Sequence, residues 1–252
     1  MNQTIRQQRI MALVETQGFM SIEQLVEAFG VTPQTIRRDL NQLAASGLIE
    51  RHHGGAGARS SVENTAYQTR KMQQQKEKQR IAQVVAAHIP NHSSLFINIG
   101  TTNEAIAQAL MQHQGLRVIT NNLHVAAILS AKDDFTVIIA GGQVRSKDGG
   151  IVGEATRDFV HEFKLDYGII GISGIDEQGN LLDFDYQEVR IAQAIMANSR
   201  YVFLAADHTK FGRNAMVRLG TLDQVSALFT DQPPASMLFD HLQQHQVALH
   251  IC

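Results

Sequence analysis

The chain contains a single cysteine, Cys252, its last residue, so no internal disulfide can form and a reducing compartment is expected. It has no apolar run long enough to cross a bilayer. Its first residues, "MNQTIRQQRIMALVETQG", are polar and lack the uninterrupted apolar stretch of a signal peptide. A soluble, cytoplasmic protein is expected. No Cys or acidic residue stands at metal-ligand spacing from the pair His52-His53, and adjacent histidines on a strand point to opposite faces. No metal and no cofactor are expected. Strong net charge is also missing: the balance is −2 over 252 residues, which says little about partners until it is divided.

Divided, it is uneven. Residues 1–80 carry 11 Lys and Arg against 7 Asp and Glu, a balance of +4, whereas residues 81–252 carry 11 against 17, a balance of −6. A small basic unit on an acidic body suggests a head that contacts nucleic acid. Hydrophobic residues make up 44%, enough for a real core in two domains.

The basic excess surrounds "TPQTIRRDLNQLAASG", residues 32–47. Thr32 before Pro33 predicts a helix start, and Gly47 fits the C′ position that ends it. Ile36, Leu40, Leu43 and Ala44 share one face. The opposite face holds Gln34, Thr35, Arg38, Asn41 and Gln42, with Arg37 and Asp39 on the flanks. A solvated helix usually mixes Glu with Lys for i,i+4 pairs. This one offers amides and guanidinium groups, which reach base edges and phosphates. Thr32, Gln34, Thr35, Arg37, Arg38 and Asn41 are therefore candidate DNA contacts.

Two further helical patterns precede it, over residues 5–18 and, from the N-cap Ser21 to Gly30, "SIEQLVEAFG". A tight turn joins the second of these to the polar helix, which makes a helix-turn-helix. After it, Leu48 and Ile49 can begin a strand. Arg51-His52-His53-Gly54-Gly55 then has the composition of a glycine-tipped hairpin, a wing that places Arg51, His52 and His53 against the DNA. Three-helix units of this size also serve as protein-docking modules.

"SIEQLVEAFGVTPQTIRRDLNQLAASGLIERHHGGA" resembles the N-terminal domain of the DeoR-type bacterial repressors, above all in "TIRRDL" and the glycine-rich wing. That resemblance implies a repressor that binds operator double-stranded DNA, usually as a homo-oligomer on paired half-sites.

Residues 59–80 are polar and read as a linker passing into a charged helix that runs on through "IAQVVAAHI". From Leu95 onward short apolar runs alternate with helical patterns, which predicts βα alternation and a mostly parallel sheet. No G-x-G-x-x-G follows the first strand, so the dinucleotide-binding fingerprint is absent. Small polar residues close several strands: Gly100-Thr101-Thr102, Asn121-Asn122, Gly141-Gly142 and Gly171. In open α/β sheets ligands sit at such ends. Gly100-Thr101-Thr102 suits phosphate, with free amides, hydroxyls and the positive end of a helix dipole. A plain βα turn would read the same, and Thr101 with Glu104 has capping-box spacing. Asp183, Asp185 and Glu188 cluster at a helix start and Lys210 follows a strand end. Helix capping and a surface cation are the plainer readings of these four.

"INIGTTNEAIAQAL", "TNNL", "IAGGQVRSKDGGIVGEAT", "GISGIDEQGNLLDFDYQEVR" and "ADHTKFGR" extend the resemblance through the body. They are similar to the DeoR-type sensor domain, whose implied fold is that of ribose-5-phosphate isomerase and whose implied ligands are phosphorylated sugars or polyols. "FDYQEVR" and "KFGRNAMV" point within that family to sn-glycerol 3-phosphate as the expected effector. Gly100, Thr101, Thr102 and Lys210 are expected to hold its phosphate, with Asp185 and Glu188 accepting from its hydroxyls. The family commonly has Asp where this chain has Asn98, which leaves phosphate contact intact and removes an acid that isomerisation would use. The expected organisation is a winged helix-turn-helix over residues 1–58, a linker and helix start over 59–80, and an α/β sensor over 81–252. Two other classes remain open on residue types: an isomerase carrying a DNA-binding head, and a constitutive DNA-binding protein without a ligand.

Overall fold

A computed structural model describes residues 2–52, 54–57 and 66–252, so His53 of the expected wing and residues 58–65 of the expected linker lie outside the described residues. The chain divides into two units, Met1–Ser61 and Val62–Cys252.

In the first unit, α1 (Gln3–Gln17) is capped by Asn2, whose side chain accepts from the Thr4 amide. Strand β1 (Phe19–Ser21) leads into α2 (Ile22–Phe29), where Ser21 and Gln24 close a capping box. α3 (Pro33–Ala45) begins as its sequence predicts, with the Thr32 hydroxyl accepting from the Thr35 amide at 3.3 Å. It ends in a Schellman motif: the Leu48 amide donates to Leu43 and the Gly47 amide to Ala44, each at 2.9 Å. Gly47 sits at φ +69°, a conformation that favours glycine.

The wing is a hairpin of β2 (Glu50–His52) and β3 (Gly55–Gly57), with β1 pairing antiparallel on the far side of β3. The strand starts later than the expected Leu48-Ile49, because Ile49 is drawn into the core while Leu48 stays exposed. A side chain on Gly55 would place Cβ 2.3 Å from the Met20 carbonyl oxygen, so only glycine lets β1 come this close. Ile10, Val14, Leu25, Ile36 and Leu40 are wholly buried and knit the three helices together. Each of these side chains stabilises the unit by roughly 1.5–3 kcal/mol.

Asp39 departs from expectation. Helical spacing puts it on a flank, yet it is 0% exposed and pairs with the buried Arg6 at 2.6 Å. Gln3 and Gln7 also donate to it, at 3.1 and 3.3 Å. The acid is a cross-link between α3 and α1, not a surface charge.

The expected linker becomes, from Tyr67 on, two helices of the second unit, α4 (Tyr67–Met72) and α5 (Gln75–Ala87). They are separated at Gln74, which is in the left-handed region at φ +53°. Next come β4 (Ser94–Ile97), α6 (Thr101–Leu110), β5 (Arg117–Thr120), α7 (Leu123–Leu129) and β6 (Thr136–Ile139). A hairpin of β7 (Gln143–Val144) and β8 (Ile151–Val152) follows, then α8 (Glu154–His161) and β9 (Leu165–Gly171). Strands β10 (Gly174–Ile175) and β11 (Asn180–Asp183) precede α9 (Tyr186–Ala197) and β12 (Ser199–Ala205). The remaining elements are β13 (Val217–Thr221), β14 (Ala227–Thr230), α10 (Ser236–Gln244) and β15 (Ala248–Ile251).

Seven strands form one sheet in the order β15-β14-β12-β9-β4-β5-β6, and every pairing in it is parallel. Helices cover both faces, which is why these strands read as unbroken apolar runs. On one face α5, α6 and α7 contribute Ile81, Val85, Ile106, Leu110 and Leu129. On the other, α8, α9 and α10 contribute Val160, Val189, Ile195 and Leu242. The chain moves from β4 outward to β5 and β6, then returns to place β9 on the other side of β4. The carboxyl ends of β4 and β9 thus flank the topological switch point, where open α/β sheets form their ligand crevice. Among the described residues no helix is long and apolar enough to cross a membrane.

Candidate functional site

On the first unit, Gln34, Thr35, Arg37, Arg38 and Asn41 line one shallow concave surface along α3. All but the half-buried Thr35 are exposed. Thr32 and Thr35 share a hydroxyl hydrogen bond at 2.9 Å, which commits Thr32 to the helix start. Gln42 lies on the same side but accepts from Gln3 and Gln7 at 2.6 and 2.8 Å, so it serves the seam with α1. In the wing, Arg51 donates through Nη1 to the Gly55 carbonyl at 2.6 Å, bracing the hairpin. His52 is exposed, its ring edge-on to Phe19 at 6.0 Å between centroids. His53 lies outside the described residues.

In the second unit, a cavity at the switch point is lined by the end of β4 and the start of α6, by the segment after β9, and by groups from α4, α9 and the loop after β12. Gly100, Thr101, Thr102, Gly171, Glu188 and Lys210, all expected at the site, line it. So do Arg70, Ser173 and Asp183.

The phosphate-suited side is open to an anion. Gly100, at φ +137°, is the N-cap of α6, and no side chain caps that helix. The expected box between Thr101 and Glu104 does not form, because Glu104 is claimed from α4. Its Oε2 accepts from the Tyr67 hydroxyl at 2.9 Å, while its Oε1 is buried with no partner. Burial and this carboxylate push the Tyr67 hydroxyl above the ordinary range, and its ring stacks on His124. The first amides and the dipole of α6 are left facing the cavity.

Two cations, Lys210 and Arg70, also line the cavity. Burial pushes the Lys210 ammonium down to about 8, against the pull of Asp207 and with further push from Arg213, Lys78 and Arg70. Lys78 is also pushed down by burial, and its ammonium donates to the carbonyls of Arg70 and Gln73, fastening the end of α4 to α5. Asp207 is desolvated as well, but Lys210 and the Thr209 hydrogen bonds outweigh that and hold its carboxyl below the usual range.

Two acids, Asp183 and Glu188, line it as well. Burial, reinforced by Asp183, pushes the Glu188 carboxyl up to about 8 even though Arg145 sits 3.0 Å away. Asp183 is pushed up by burial too, despite hydrogen bonds to its Oδ1 from the Phe184 amide at 2.7 Å and the Ser173 hydroxyl at 3.0 Å. Arg145 organises the carboxylates here. It grips Asp148 with two bonds at 3.0 and 2.7 Å and reaches Asp185 at 2.8 Å, besides Glu188. Arg70 lies 3.6 Å from the same Asp148.

Five expected residues are not brought to the cavity. Asp185 caps α9 through Oδ1, accepting from Gln187 and Glu188 amides at 2.9 and 3.3 Å, and its Oδ2 is the one held by Arg145. Asn122 caps α7, accepting from the His124 and Val125 amides, and Asn121 donates to the Ile151 carbonyl. The Gly141 carbonyl accepts from Thr156 at 2.8 Å, and Gly142 passes so close to that threonine that any Cβ would collide with it. These asparagines and glycines seat the β7–β8 hairpin and α8 on the sheet. Asn98 is buried, accepts from its neighbour's amide at 2.8 Å and forms part of the turn before Gly100.

Sequence reasoning missed Tyr67, Arg70 and Lys78, which sat in a polar stretch read as a linker, and Arg145 and Asp148, whose partners lie far along the chain. The unusual signal was Tyr67, an aromatic in an otherwise polar run. Among the described residues no group of three or more His, Cys, Asp or Glu could hold a metal ion.

Comparison with known proteins bears on both units. Residues 6–62 match the DeoR-like helix-turn-helix domain and residues 73–232 the DeoR C terminal sensor domain. The chain is 56% identical over its full 252 residues to the glycerol-3-phosphate regulon repressor of Escherichia coli K12, covering all of that protein. It is 51% identical over its whole length to the protein of the same name from Haemophilus influenzae, covering 98% of it. A solved structure of ribose 5 phosphate isomerase A from Neisseria gonorrhoeae overlaps 53% of this chain and 52% of its own, at a TM-score of 0.40 and 14% identity. With a helix-turn-helix head and a sensor domain that both match over most of their length, the chain belongs to the DeoR family of transcriptional repressors.

Proposed function

We propose that this protein represses genes of glycerol 3-phosphate metabolism in the cytoplasm, and that sn-glycerol 3-phosphate releases it from operator DNA. The observation that carries the reading is the make-up of the cavity: a helix N-terminus, Lys210 and Arg70 line it together with Asp183 and Glu188. Amides and cations favour a phosphate dianion. The carboxyl groups offer acceptors to hydroxyls. The full-length identity to two glycerol-3-phosphate regulon repressors supports this choice of polyol.

Gln34, Arg38 and Asn41 are the operator-reading residues, with Arg37, Thr35 and the wing adding backbone contacts. Residues 1–58 carry the DNA contacts, and the sensing unit takes in residues 67–80 of the expected linker. A homo-oligomer reading paired half-sites follows from the helix-turn-helix mode of binding. Release requires the effector to bind the DNA-free form better, and operator must lower effector affinity by the same factor, typically about 1–3 kcal/mol.

Isothermal titration of the full chain with sn-glycerol 3-phosphate, glycerol and inorganic phosphate tests the effector. Saturable binding of the ester and none of glycerol is the expected result. Binding of a different sugar phosphate, with none of this ester, would move the regulator to another metabolite.

A further inference from the structure

We propose that Asp183, held in place by Ser173, is the group that reads the effector's hydroxyls and so separates a polyol phosphate from a bare phosphate ester. The inference rests on the proposed effector and concerns the same cavity. Asp185 was the expected reader, but both of its oxygens are taken, one by the start of α9 and the other by Arg145. Asp183 is different. It ends β11, is 4% exposed and lines the cavity. The Ser173 hydroxyl and the Phe184 amide both donate to its Oδ1, leaving Oδ2 outside both bonds. Asp148, Asp185 and Glu188 are the carboxylates that Arg145 grips, and Asp183 is not among them.

A buried carboxylate without an ion-pair partner is costly to keep. A hydroxyl donor arriving in the cavity relieves that cost and gives the ligand an anchor besides its phosphate. The tasks are then separate: the start of α6 and Lys210 take the phosphate, whereas Asp183 reads the polyol. Ser173, 3.0 Å from Oδ1, fixes the carboxylate's rotation, which makes it a positioning residue.

The test is calorimetric titration of the full-length protein with sn-glycerol 3-phosphate and with n-propyl phosphate, which keeps the phosphate and lacks both hydroxyls. Wild type should prefer the glycerol ester by roughly 10- to 100-fold, the range for a hydrogen bond to a charged group. Asp183→Asn should collapse that ratio by lowering affinity for the glycerol ester while leaving n-propyl phosphate binding in place. Ser173→Ala should reduce the ratio several-fold, and it carries the test alone if the Asp183 variant fails to fold. Asp185→Asn should keep the ratio. A preserved ratio in both Asp183→Asn and Ser173→Ala, or its loss in Asp185→Asn alone, would overturn the assignment. Equal binding of the two esters by wild type overturns it as well, but leaves a phosphate site standing. Binding of neither ester removes the effector reading and this inference together.

Discussion

On α3 the side chains offered to a partner lie along one helix, and Gln34, Arg37, Arg38 and Asn41 are exposed. In the sensor cavity they converge from α4, α6, α9 and the loops after β9 and β12, and Arg70, Ser173, Asp183 and Glu188 already hold polar partners before any ligand arrives. The difference follows from what each must recognise. A DNA groove is wide and brings its own solvated phosphates, so exposed amides and guanidinium groups can meet it without rearrangement. A small anion must be desolvated, which demands buried charges, and a buried charge is costly unless it is paired or hydrogen-bonded. Arg145 with its three carboxylates is the consequence.

The head contains one place built in the sensor's manner, the Arg6–Asp39 pair, and breaking it gives the largest expected effect. Asp39→Ala removes the carboxylate that the buried Arg6 shares with Gln3 and Gln7 and should destabilise the head by about 3–5 kcal/mol. Operator binding should vanish while effector binding in the sensor persists, as circular dichroism melting and calorimetry would report. The counterpart is Arg145→Ala, which takes the cation from Asp185 and Glu188 and leaves Asp148 with Arg70 at 3.6 Å. It should destabilise the sensor by about 2–3 kcal/mol, the scale of a lost charged hydrogen bond, with the head's melting unchanged.

Changes on the exposed face should behave otherwise. Arg38→Ala should cost about 1–3 kcal/mol of operator binding and relax preference at one base position, with no loss of stability. Arg37→Ala should weaken all sequences alike and reduce the salt slope by about one. Mobility-shift assays on operator and scrambled DNA separate the two; wild-type operator affinity in the Arg38 variant would contradict the comparison.

The smallest effect is protonic. Burial pushes the Lys210 ammonium down and the Glu188 carboxyl up, each to about 8, so both can change protonation near that pH. A bound phosphate dianion raises both values, because it attracts the ammonium and repels the carboxylate. Binding near pH 8 should therefore take up protons, up to about one, and affinity should fall as pH rises beyond 8. Calorimetry in buffers of different ionisation enthalpy measures the uptake directly. Heats that do not vary with buffer would contradict it.

The two regions also differ in how much the amino-acid sequence disclosed. The face of α3 was legible because one helix carries it, and a period of 3.6 sorts its residues without further information. Asp39 was misread for the same reason: its partner Arg6 is 33 residues away, and periodicity does not see across helices. The parallel sheet was legible from its apolar runs, and the strand ends named Gly100, Thr101 and Thr102. Spacing alone could not choose Asp183 over Asp185, since the choice depends on which oxygens the backbone and Arg145 had already taken. Arg70 was hidden in a polar stretch whose place beside the cavity arises only when α4 packs on the sensor.

The claim that joins the two regions is that occupancy of the cavity loosens the head's hold on DNA. Titrating a preformed protein–operator complex with sn-glycerol 3-phosphate, with glycerol and inorganic phosphate as controls, tests it most directly. Wild type should release DNA with the ester alone, and Lys210→Ala should hold operator at normal affinity without responding. Release by glycerol alone, or none by the ester at millimolar concentration, would contradict the account.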